Sequence, residues 1–139
     1  MSGIRMGEQS VDATRTIPAE KVIEAIGSTG MIQRRVRWRT LDIIVKPILS
    51  FEEYSTIVRY IVVQCESRGG VPLIELIDYA VRANVLFAYT NISRFENTSD
   101  LYRVLYCSDL YDSIIAVINQ AQYKAIIYAI SIYFGREVL

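Results

Sequence analysis

Histidine does not occur anywhere in this chain of 139 residues. Its absence removes Ser-His-Asp and Cys-His nucleophile pairs, imidazole acid–base catalysis and histidine-ligated metal sites. Cysteine is scarce as well. Cys65 and Cys107 are the only two, on separate stretches that read as helix. They are too few for a structural zinc site and are expected as two buried free thiols rather than one disulfide. The longest apolar run, "AIIYAISIYF" at 125–134, is about half the ~20 residues a bilayer span needs. The start carries Arg5, Glu8 and Asp12 and has no apolar core, so it does not read as a secretory signal. An excess of one charge is also lacking, since fifteen basic and fifteen acidic residues give a net charge of zero. That balance argues against a general polyanion binder. These absences predict a soluble, intracellular protein that is not an enzyme and carries no cofactor or metal.

Apolar residues make up 52% of the chain, and ten tyrosines dominate its aromatic content. The length fits one domain, which would bury roughly two thirds of its unfolded surface. Tyrosine joins a large apolar ring to a polar tip, so it suits surfaces that are dry inside and wet at the rim. Ten are too many for a single core of this size, so some belong at surfaces or interfaces.

Along the chain, residues 1–15 are polar, lack periodicity and read as a flexible N-terminal arm. A single domain is expected over 16–139. "TIPAEKVIEAIG" reads as a short helix opening at Thr16 and Pro18, with Val22, Ile23 and Ile26 on one face. "GSTG" at 27–30 lacks a following Gly-Lys-Ser/Thr and precedes a strand, so it is a turn rather than a phosphate loop. The period then changes to two. Ile32, Arg34, Val36 and Trp38 fall on one face, and Gln33, Arg35, Arg37 and Arg39 on the other. A turn near Thr40 and Leu41 would return the chain through Ile43 and Val45 to Pro47, giving an antiparallel hairpin at about 32–47.

Helical signals follow. "SFEE" at 50–53 is a capping box opening a stripe of Phe51, Tyr54, Ile57, Val58, Ile61 and Cys65. "SRGG" at 67–70 stops that helix, and Pro72 opens the next, in which Ile74, Ile77, Val81 and Val85 recur up to Tyr89. "TNISRFENTS" is a polar loop before the short helix "SDLYRVLY". Ser108 is expected to cap the next helix, with Asp109 in its first turn. Asn119 and Gln122 form a second box, ahead of a last helix. Ile114, Ile118, Ile126, Ile127 and Ile130 read as core. The fold class is therefore α+β, mostly α, with an N-terminal hairpin packed on a bundle of four to five helices.

The richest stretch is "RRVRWRTLDIIVKPILSFEE" at 34–53. Arg34, Arg35, Arg37 and Arg39 beside Trp38 could track a phosphate backbone while the indole stacks on a base. Residues 48–139, however, hold ten acids and seven bases, so no wider basic surface extends that patch. An acidic protein partner is the better match, with Arg35, Arg37, Arg39 and Trp38 as the partner-binding residues. Asp109, Asp112, Glu96 and Asp100 form an acidic stretch that helix capping and solvation explain without a metal.

Several strings resemble a group of short proteins from the tail-morphogenesis region of tailed-phage and prophage genomes. The shared pattern is a tryptophan-containing hairpin, a lysine before "LS" and a helix, then two further helical strings. Here these are "RWRTLDIIVKPILSFEE", "DYAVRANVLFAYTN" and "LYDSIIAVINQAQYKAIIYAI", within residues 32–132. The resemblance implies a tail assembly chaperone, which coats the tape-measure protein and helps recruit tail-tube subunits. Its partners would be other tail components and itself, in the host cytoplasm. The sequence departs from that group in its front extension, residues 1–30, and in the absence of proline from "NISRFE". The extension fits a virion subunit of the tail or neck that reaches to a neighbour. A small nucleic-acid-binding regulator using the arginine strand is the third reading.

Overall fold

The computed structural model describes residues 16–27, 32–66 and 74–138. The arm at 1–15, the rest of the "GSTG" turn, the "SRGG" stop and Pro72 lie outside the described residues. The architecture is α+β and mostly helical, with six helices and one two-stranded antiparallel hairpin near the N-terminus among the described residues. Among the described residues no helix is long and apolar enough to cross a membrane.

Helix α1 runs Ala19–Ile26, with Pro18 rather than Thr16 at its N-cap. Proline suits this place because its fixed φ already matches the helix and its missing N–H would have no partner there. Gly27 ends the helix at φ 70°, a left-handed backbone that a side chain would resist. All residues of α1 are exposed, including Val22, Ile23 and Ile26.

Strands β1 (Arg34–Trp38) and β2 (Leu41–Val45) pair with Val36 opposite Ile43 and Trp38 opposite Leu41. The turn is Arg39-Thr40, one residue earlier than the periodicity predicts. Arg39 takes φ 58°, which corrects its expected place on the outer strand face. A two-residue loop must reverse the chain within the right-handed twist of its strands, and a positive φ at its first residue achieves this even without glycine. Ile43 and Val45 on the inner face are buried, while Val36 and Trp38 are half-buried.

Helix α2 (Phe51–Glu66) starts from the predicted capping box: Glu53 N–H donates to Ser50 Oγ at 3.1 Å, and Ser50 N–H donates to Glu53 Oε1 at 2.9 Å. Ile61 and Cys65 reach the core, but Phe51, expected in the same stripe, is 75% exposed. It sits in the first turn, where its ring meets that of Tyr54 at 6.2 Å between centroids. Helix α3 (Ile74–Tyr89) is the central element. Ala80, Val81, Ala83, Val85, Leu86 and Tyr89 are all buried, so it meets neighbours on several sides. Its first residue, Ile74, is exposed rather than part of the stripe. Buried Asn84 is satisfied, its amide donating to Ala80 O at 2.7 Å and Gln64 Oε1 at 2.9 Å.

Helix α4 (Thr98–Tyr106) is capped by Asn97, whose carbonyl oxygen accepts from Ser99 and Asp100 N–H. Helix α5 (Leu110–Ile115) has Asp109 at its N-cap. The expected Ser108 cap instead donates its hydroxyl to Val104 O at 2.7 Å and accepts Leu110 N–H at 3.3 Å. Helix α6 (Gln120–Val138) contributes Ile126, Ile130 and Phe134 to the core, while Ile127 turns outward. One hydrophobic cluster joins Ile43 and Val45 of β2 to α2, α3, α4, α5 and α6. Cys65 is buried and free as expected, but Cys107 is exposed, at the end of α4 rather than under it.

The second capping box forms only halfway. Gln122 N–H donates to Asn119 Oδ1 at 2.8 Å, yet the Gln122 side chain does not return to Asn119. Asn119 N–H goes to Pro47 O at 2.9 Å. The freed Gln122 amide holds three groups elsewhere: Oε1 accepts Leu49 N–H at 2.8 Å and the Tyr89 hydroxyl at 2.7 Å, and Nε2 donates to Leu49 O at 3.0 Å. The start of α6 is thereby fastened to the segment after β2 and to the end of α3.

Candidate functional site: the hairpin and its two edges

A hairpin of two strands has two outer edges, and here they differ. Antiparallel pairs alternate between residues that bond each other and residues whose N–H and C=O point away from the partner strand. Closure by a two-residue loop makes Trp38–Leu41 a bonded pair. Val36–Ile43 and Arg34–Val45 then bond as well, and Arg35, Arg37, Asp42 and Ile44 point outward. The bonds of Ile44 agree with this phase. Its N–H donates to Asn91 Oδ1 at 3.0 Å, and its C=O accepts Asn91 N–H at 3.2 Å. Beside it Lys46 N–H donates to Tyr89 O at 2.7 Å, and Val45 bridges Thr90. The chain leaving α3 therefore closes much of the β2 edge. Among the described residues no segment pairs with the β1 edge.

Arg35 and Arg37 are exposed on the outer face of β1, as their alternation predicts. Arg37 Nη1 meets Asp42 Oδ1 at 3.1 Å across the hairpin. Arg35 faces Ile44 and makes no ion pair among the described residues. Arg39 sits in the turn with its guanidinium over the Trp38 ring, 4.6 Å from the centroid. Trp38 turns toward the helices, and its indole N–H donates to Asp109 Oδ1 at 2.8 Å. That bond, followed by lesser contributions including the nearby Arg39, holds the Asp109 carboxyl below the usual carboxylate range. The four predicted residues thus divide into two outer-face arginines and an Arg39–Trp38 stack at the turn.

Beside that stack lies an open groove of about 480 Å³. Its walls are Trp38, Arg39, Phe95, Val104, Cys107 and Ser108, with Asp100 and Arg103 also lining it. No β2 residue contributes, so the groove flanks the hairpin at β1 and the turn. Arg103 and Asp100 face each other at 3.9 Å. Sequence reasoning missed Phe95 and Val104 and read Asp109 only as a helix-start residue of an acidic stretch; all three join Trp38 only through the tertiary fold.

The predicted acidic stretch does not converge. Asp109 serves Trp38, Asp100 faces Arg103, and no group of three or more His, Cys, Asp or Glu side chains that could hold a metal occurs among the described residues. The tyrosines divide as expected. Tyr89 and Tyr111 are buried, whereas Tyr60, Tyr102, Tyr106 and Tyr128 are exposed. Tyr106 and Tyr111 flank the Arg82 guanidinium at 4.7 and 4.9 Å, and Arg82 also meets Asp78 at 2.9 Å. That cluster ties α3 to α4 and α5 and is a packing device. Comparison with family models, with characterised proteins and with solved structures gives no match for this chain.

Proposed function

We propose that this chain is a non-enzymatic assembly protein that works through protein–protein contact, of the kind tailed phages use in tail morphogenesis. The observation that carries the reading is the asymmetric hairpin: much of one edge is closed by the chain's own Asn91 and Tyr89, while the other is unpaired among the described residues and bordered by Arg35 and Arg37. An unpaired strand edge is a template for another chain, and arginines beside it both discourage self-stacking and favour an acidic partner. The phage assignment is supported by the strings at 37–53, 78–91 and 110–130. On that reading the chain acts in the host cytoplasm as a tail assembly chaperone-like factor.

A second role, a structural subunit of the tail or neck, is favoured by α1. Its apolar Val22, Ile23 and Ile26 are all exposed, and an eight-residue helix is too short to be stable without a surface to lie on. Finding the protein in purified particles selects the subunit role, and its absence selects the chaperone role. The assembly reading itself is tested by reversing charge at Arg35→Glu and Arg37→Glu. Light scattering should show association with itself or with tail components lost, with the helical circular dichroism unchanged. Unchanged association together with loss of DNA binding would replace it with the nucleic-acid reading.

A further inference from the structure

The β1 edge and the groove beside it meet at Trp38, the last residue of β1 and part of the groove wall. Arg35 and Arg37 project their N–H and C=O groups outward about 7 Å apart, the two-residue repeat at which an added strand offers its own. Side chains of an added strand would alternate in step with β1. Those level with Arg35 and Arg37 would lie on the outer face, and the others on the same face as Val36 and Trp38. The outer face offers the Arg35 guanidinium, which lacks an ion-pair partner among the described residues. The inner face leads to the groove walled by Trp38, Phe95 and Val104. Its 480 Å³ lies within the range of about 300–1,000 Å³ typical of binding pockets. Trp38 is already held by Asp109 and Arg39, so little side-chain freedom remains to be lost on binding.

Resting on the assembly reading, we infer that the β1 edge is a strand-addition site for an extended segment of a partner protein in which acidic and apolar residues alternate. The acidic side chains meet Arg35 and Arg37, and one bulky apolar side chain enters the groove beside Trp38. Charge complementarity selects this occupant. A second copy's β1 would bring arginines opposite arginines, which repel across a strand pair. Main-chain bonds supply affinity in this mode, and alternate side chains supply specificity.

Trp38 is the only tryptophan, so its emission reports directly on the groove. The full chain is titrated with the peptide acetyl-TEVEFELT-amide and with acetyl-EEEVFLTT-amide, which has the same composition but consecutive glutamates. The alternating peptide should bind at least about tenfold more tightly, and Arg35→Glu with Arg37→Glu should remove about tenfold or more of that affinity. Replacing its phenylalanine with alanine should abolish the Trp38 shift. Amide exchange should slow at Arg35 and Arg37 on binding, a signature that charge attraction alone does not produce. Equal affinity for the two peptides, or binding without protection of those amides, overturns strand addition. Tighter binding of a peptide copying residues 7–15 overturns the partner assignment in favour of a second copy of this chain. An equal Trp38 shift with a thymidine oligonucleotide overturns it in favour of nucleic acid. If these peptide results fail while charge reversal still dissolves the assembly, strand addition is rejected and the assembly reading stands.

Discussion

Replacing Gln122 with alanine removes the acceptor of the Tyr89 hydroxyl and both partners of the Leu49 backbone in one step. Tyr89 is 0% exposed and Leu49 3%, so water does not readily replace what is lost. Orphaning a buried polar group costs about 1–3 kcal/mol. Gln122 itself is half-buried, which admits some water and sets each of the three losses near the low end. The expected destabilisation is therefore about 3–4 kcal/mol, a large share of the ~5–15 kcal/mol that holds a typical domain together. Tyr89→Phe alone should cost about 1 kcal/mol, because Gln122 keeps both bonds to Leu49. In the Gln122→Ala background the same change should be neutral or stabilising, since it removes a hydroxyl that no longer has a partner. Urea unfolding of the four proteins gives the double-mutant cycle, provided the m-values agree. Strict additivity would refute the reasoning, since it would mean that Tyr89 does not depend on Gln122.

Asn119→Ala should cost about 1 kcal/mol in the same assay, because it removes the cap of α6. Glu53 is held below the ordinary glutamate value of 4.5 first by its bond to Lys46 and then by the Ser50 backbone. Such a group stabilises the fold above its unfolded value, and the contribution fades as pH falls through the lowered folded value. Glu53→Gln should therefore lower stability at neutral pH and flatten the acid limb below about pH 4.5, read by thermal melting across pH. Its side chain is 43% exposed, so screening keeps the effect small and salt-sensitive. A thiol reagent should modify Cys107 rapidly in the native protein and Cys65 only on unfolding, since burial both covers the Cys65 thiol and pushes its pKa up. Two equally fast thiols would contradict this packing.

Much of the fold was legible wherever local chemistry decides it. Ser50 and Glu53 are three residues apart and need only a helix start to find each other. The alternation in 34–38 places Arg35 and Arg37 outward whatever lies beneath. Legibility ended where a side chain served a distant partner. Gln122 reads as a capping-box residue, but Leu49 and Tyr89 compete for its amide and win because they are buried and water is excluded from them. Ser108 similarly bonds back to α4, leaving Asp109 at the next N-cap. Arg39 continues the alternation on paper, yet the twist of a two-residue loop takes it out of the strand. For the candidate site, the arginines and Trp38 were visible in sequence. Phe95, Val104 and Asp109 carried no periodic signal, because only the packing of α4 and α5 brings them beside Trp38.

Asn91 has a consequence for how many neighbours the hairpin can take. With its main chain and its side chain it occupies both outward groups of Ile44, standing where a third strand would begin. A sheet open at both edges can hand its pairing on from one molecule to the next, so growth has no natural end. Among the described residues this hairpin has one edge left continuous, that of β1, because Asn91 stands on the other. If a partner strand adds to β1, as proposed, the sheet cannot also lengthen through an unbroken β2 edge of this chain. On the strand-addition proposal, the hairpin of this chain then has a place for one added strand, on one side.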